Sequence, residues 1–165
     1  MIPALAGSPG PTGNDSPVRP PGRQTWHASM TIWIDAWQLQ CCGEPFLVGS
    51  PVTWTLRDAD PDWLETVLGA EAARAVDAAE EHHGGVPEDT EPVSGTVTRI
   101  SAVHCRYAPQ PGGDPRALPP ARGSAVLTDL KSADGWTADR GEERFAGYIV
   151  QLAEDPGDGD RSDRP

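Results

Sequence analysis

The stretch Trp37–Trp54, W-Q-L-Q-C-C-G-E-P-F-L-V-G-S-P-V-T-W, holds the densest set of side chains capable of chemistry in this chain. Cys41 and Cys42 offer two thiolates, and His82 and His83 offer two imidazoles further along. Zinc takes about four nitrogen or sulfur ligands in a tetrahedron. These four residues, with His104 or Cys105 in reserve, form a candidate zinc site drawn from a turn, a helix end and a strand. Two features oppose it. Adjacent cysteines lack the two-residue spacing of zinc knuckles, and neighbouring side chains on a strand point apart. The competing reading buries one cysteine as a small hydrophobe and leaves the other lining a turn. A redox role for the thiols is a third reading, disfavoured because acidic surroundings oppose thiolate formation. His82 and His83 also have a purely local reading, as partners for the free carbonyls of a last helical turn. Adjacent helical residues project about 100° apart, so at most one of the two faces a given site.

Asp35 is the acid that stands out, because it interrupts the apolar run T-I-W-I-D-A-W. It marks either a bulge or edge position, or a partly buried carboxylate with a raised pKa. Together with Trp33 and Trp37 it forms a candidate ligand or partner surface, since exposed tryptophan anchors contacts. The competing reading puts Trp54 and Trp63 in the core and lets Trp33, Trp37 and Trp136 cover sheet edges. Glu80-Glu81 and Glu142-Glu143 read as solvated faces, and Cys105 reads as a core residue in phase with Val103 and Tyr107. The chain has no G-x-S-x-G elbow, P-loop, dinucleotide fingerprint or H-E-x-x-H. That absence leaves no catalytic or cofactor-binding residue to assign and favours binding over catalysis.

Charge limits the partners. The net charge is −12, and residues 30–153 alone carry nineteen carboxylates against nine basic side chains. Nucleic-acid binding draws on basic residues that neutralise phosphates, so nucleic acid and anionic membrane are both excluded as expected partners. No apolar run approaches the roughly 18 residues of a membrane span. Three cysteines without a recognisable secretory leader point to a reducing cytoplasm. Proline and glycine, 18 each, crowd the ends. Residues 1–29 and 154–165 are expected to be disordered tails around one domain at 30–153, with Met30 a candidate start.

The elements that must position these groups follow from periodicity. Thr31–Gln40 reads as a strand apolar on both faces, and Val52–Leu56 as a strand with Val52, Trp54 and Leu56 inward. Phe46–Val48 is a short strand candidate between turn residues. Asp60-Pro61 begins a helix, with Asp60 as cap and Trp63, Leu64, Val67 and Leu68 as its apolar stripe. Gly69 interrupts it, and an Ala-rich helix is expected over 70–81, with His82 and His83 in its last turn before Gly84-Gly85. Val93–Tyr107 is the longest strand, with a phase slip near Arg99 that predicts a bulge. Residues 108–123 form a Pro/Gly-rich loop, and Ala125–Leu130 and Phe145–Leu152 are the closing strands. The expected class is α+β: a small curled antiparallel sheet or partly open β-barrel with one helical insertion.

The W-Q-x-x-C-C-G-x-P-F-x-V-G block, with H-H-G at His82, G-T-V-T-R-I at Gly95 and G-Y-I-V at Gly147, resembles a family of small actinobacterial proteins defined as a domain of unknown function. The resemblance covers roughly Thr31–Leu152 and implies a bacterial cytoplasmic location but no activity. The combined expectation is a small soluble module that binds an unidentified protein or small-molecule partner without catalysis and needs no cofactor. The alternative is a zinc-binding protein, or zinc enzyme, using Cys41 or Cys42 with His82 or His83.

Overall fold

A computed structural model describes residues 29–154. The expectations for the two tails therefore fall outside the described residues, except that Ser29 and Glu154 are strand residues. Alternating apolar side chains build two long strands, β6 (Val93–Cys105) and β9 (Arg144–Glu154), which pair antiparallel along most of their length. Against the other edge of β9 lies β1 (Ser29–Asp35). The main sheet continues through β5 (Ala78–Glu80) to β4 (Leu56–Arg57), and its far side carries β3 (Pro51–Trp54), giving the order β3-β6-β9-β1-β5-β4. A seventh strand, β7 (Val126–Leu130), pairs with the second half of β6. Only Thr55 separates β3 from β4, so the two ends of this order are consecutive in the chain. The sheet thereby curls into a nearly closed barrel. A two-stranded sheet of β2 (Phe46–Leu47) and β8 (Ser132–Ala133) contributes Phe46 and Ala133 to the same core.

The period of two splits the buried residues into two layers. Ile32, Ile34, Ala78, Val97, Ile100, Ala102, Tyr148, Val150 and Leu152 fill the barrel, joined by the half-buried Val52, Trp54 and Leu56 in the inward phase expected of them. Trp33, Ala79, Val103 and Cys105 face outward beneath α2 (Pro61–Leu68), which covers them with Leu64, Val67 and Leu68. Each fully buried large aliphatic side chain stabilises the fold by about 1.5–3 kcal/mol. Asp60 caps α2 by accepting hydrogen bonds from the backbone N–H groups of Asp62 and Trp63. Gly69 ends α2 at φ 86°, a left-handed backbone that only glycine adopts cheaply.

Three expectations are corrected. The strand placed over 31–40 ends at Asp35, and α1 (Ala36–Cys42) follows, because Ala36 and Leu39, three residues apart, bury one helical face. The Ala-rich helix over 70–81 is only α3 (Ala70–Ala73), and the chain then returns as β5, parallel to β1 and antiparallel to β4. Small side chains make this possible: Ala78 enters the barrel while Ala79 joins the outer layer, as in a strand buried on both faces. The sheet is thus mixed rather than antiparallel, and among the described residues three short helices replace one insertion. The expected phase slip is present as a register shift between Val97 and Arg99, with a second between Val103 and His104. No helix among the described residues is long and apolar enough to cross a membrane.

Candidate functional site

The turn from β5 into His82 and His83 lies beside the C-terminal end of α1, and two constellations form there. The first is inside the barrel mouth. Glu80 has the inward phase of Ala78, and its side chain is 2% exposed. Its Oε1 lies 2.5 Å from Nε2 of His82. Burial and the neighbouring Glu81 carboxylate push the Glu80 carboxyl up to about 7. Burial, then the neighbouring His83, pushes His82 below the usual imidazole range. Both shifts favour the uncharged forms of the two groups. The backbone N–H of His82 donates to Oε1 of Gln38, itself buried at 1% exposure, which anchors the pair to α1. Gly43 gives the pair room: a Cβ there would collide with the Leu39 side chain and sit 3.0 Å from His82 Nε2.

The second oxygen of this carboxyl, Oε2, is buried with no hydrogen-bond partner. Glu80 is one of the residues lining a cleft of roughly 610 Å³, with His82, Cys42, Phe46, Ser50 and Trp54. Phe46 and Trp54 meet edge to face at 5.2 Å and give the cleft its aromatic wall. A buried acceptor left unpaired costs on the order of 1–3 kcal/mol, so Glu80 carries an unmet demand for a hydrogen-bond donor.

The second constellation is on the surface. In the last turn of α1 the sulfurs of Cys41 and Cys42 lie 2.7 Å apart. Those sulfurs and one ring nitrogen of His83 all lie within 4.8 Å of one another, and all three residues are exposed. The His83 ring stacks on Trp37 at 5.0 Å and 11°, and its backbone N–H donates to Oε1 of Glu81 at 2.6 Å. The hydrogen bond shared with the Cys41 sulfur raises the Cys42 pKa.

The model of a family of unknown function, DUF6578, matches residues 28–154. The chain belongs to the DUF6578 family. No curated protein and no solved structure matches it.

In this DUF6578 chain the four residues expected to form one metal site divide between the two constellations. Cys41, Cys42 and His83 come together, whereas His82 turns inward to Glu80. Neither reserve ligand joins them. His104 is fully buried with Nε2 against the Ala138 carbonyl at 2.9 Å, and Cys105 is buried beneath α2. The expected surface of Trp33, Trp37 and Asp35 also divides. Trp33 is 1% exposed and packs into the outer core, so it offers no surface, because the strand period places it beneath α2. Trp37 is 56% exposed and, with Asp35, Arg57 and Trp63, lines a shallow depression. Burial raises the Asp35 carboxyl, opposed by the hydrogen bond from Trp33 Nε1 at 2.9 Å and by Arg57 at 3.7 Å.

Glu80 is the residue that sequence reasoning missed. Read as a solvated helical face with Glu81, it instead lies inside the barrel, while Glu81 pairs outward with Arg57 Nε at 3.1 Å. The available signal was the run Ala70–Glu81, whose small apolar residues form no stripe large enough to hold a helix on a core.

Proposed function

We propose that this chain is a ligand-binding barrel that takes a small molecule into the cleft at its mouth. The ligand supplies an N–H or O–H donor to Glu80 Oε2 and lays an apolar face against Trp54 and Phe46. The observation that carries the reading is the unpartnered Oε2 of Glu80, a residue that lines that cleft. Native proteins pair nearly all buried polar atoms, and exceptions concentrate where a water or ligand completes the set. A few placed polar groups also fix orientation in small-molecule sites. The three free thiols suit a reducing compartment such as a bacterial cytoplasm.

The test is a fragment screen with small amides and heteroaromatic amines, read by protein NMR. Hits should shift the resonances of Trp54, Phe46 and His82 and lose affinity in Glu80→Leu, which removes the acceptor while keeping an apolar filling. Hits that bind Glu80→Leu equally well, or that shift only residues around Trp37 and Trp63, would move the site elsewhere.

A further inference from the structure

The exposed triad of Cys41, Cys42 and His83 carries a second inference, independent of the Glu80 reading although Cys42 also lines the cleft. Two sulfurs and an imidazole nitrogen form a soft donor set, suited to thiophilic ions such as zinc and unsuited to calcium or magnesium. The objection that adjacent cysteines point apart holds for a strand. Here they occupy the last turn of α1, and their sulfurs are side by side. A tetrahedral zinc with bonds of about 2.3 Å holds two sulfurs roughly 3.8 Å apart, so they must separate by about 1 Å. Both thiols are exposed, so a small side-chain rotation achieves this without moving the core. The third donor is already placed, because His83 is held by the Trp37 ring and the Glu81 carboxylate. His82 is excluded from the set by its contact with Glu80.

We propose that Cys41, Cys42 and His83 bind one zinc ion at the rim of the barrel mouth, with the fourth coordination position open. Binding converts both thiols to thiolates and releases two protons to solvent, while His83 contributes a neutral nitrogen. Three protein ligands with an open position is the arrangement of zinc sites that take a further ligand rather than of closed structural sites. Trp37 is a positioning residue that acts through the His83 ring.

The experiment uses the full 165-residue chain, purified without a polyhistidine tag or chelator, titrated with Zn²⁺ against a chromophoric chelator and separately with Co²⁺. One zinc per chain is expected, with thiolate-to-cobalt charge-transfer absorption that disappears in C41S/C42S. His83→Ala should bind roughly 100-fold more weakly or worse, and Trp37→Ala about tenfold, the lower end of what groups that orient a ligand contribute. His82→Ala and Glu80→Gln should bind as the parent does, and the latter separates this site from the cleft. All the ligand variants change exposed residues, and circular dichroism confirms that they remain folded. Failure to take up zinc, a cobalt spectrum without thiolate absorption, or a His83→Ala protein as tight as the parent overturns the assignment. So does a His82→Ala protein that loses the metal.

Discussion

Asp35 and Glu80 sit on the paired strands β1 and β5, both are buried, and both have carboxyl groups raised by burial. Their surroundings differ. Asp35 faces outward and is met by Trp33 Nε1 on one oxygen and by Arg57 near the other. Glu80 faces inward, where His82 meets one oxygen and nothing meets the second. Burial alone therefore does not distinguish a structural acid from a functional one. The difference lies in whether the fold itself supplies every partner. At Asp35 it does, and the side chain ties β1 to β4. At Glu80 the set is incomplete beside a cleft, which is a poor arrangement for stability and a good one for capturing a donor.

Breaking the closed side should have the largest effect. Trp33→Ala removes a buried ring and the donor to Asp35, and should cost about 3–5 kcal/mol in urea denaturation. Trp54→Ala, half-buried at the cleft wall, should cost distinctly less. An equal or larger loss at Trp54 would mean that the open side carries the fold.

The next effect is pH dependence at Glu80. Its carboxyl is held at about 7 against an ordinary 4.5, so the folded state binds this proton more tightly than the unfolded chain does. The resulting stabilisation is complete below pH 4.5, declines as pH rises towards 7 and is absent above it, a change of up to about 3 kcal/mol. Asp35 is raised too and declines in the same direction, so the comparison is with Glu80→Gln. That variant should gain on the parent between pH 5 and 8, and a constant difference would remove the assignment.

At fixed pH 8 the two acids should respond with opposite sign. Asp35→Ala leaves Trp33 Nε1 unpaired and should cost about 1–3 kcal/mol, whereas Glu80→Gln should be neutral or stabilising. The smallest effect is a control on the layer above Asp35. Asp60→Ala uncaps α2 and should cost about 1 kcal/mol while leaving the pH dependence at Glu80 unchanged.

What could be read from the residues was what is locally encoded. Asp60-Pro61 starts α2 by supplying an acceptor and a preset φ, and Gly69 ends it. Val52, Trp54 and Leu56 reveal their inward face by alternation, and the slip at Arg99 appears as a register shift. The barrel-like sheet follows from such signals. The candidate site was only half legible. The Cys-Cys pair and the histidines were visible as donors, but their grouping depended on α1 being a helical turn and on β5 being a strand. Neither is encoded locally. Ala78-Ala79-Glu80 carries no β-branched or aromatic residue, and it becomes a strand only because β1 and β4 offer backbone partners on either side. Glu80 was misread for the same reason, since the element that carries it exists only in tertiary context.

The first and last strands of the barrel ring are neighbours, with Ser29 directly opposite Ala153. A short linker can therefore join these positions without crossing the barrel, and new termini can be opened at the exposed Gly112-Gly113 of the Pro/Gly-rich loop. Such a circular permutant should retain the β1–β9 pairing as a local hairpin, while the pairings of β6 with β7 and β9 become the contacts between distant segments. By the same geometry the unit can be spliced into a surface loop of a host protein, entering and leaving at one point, with the barrel mouth carried along as a portable binding module.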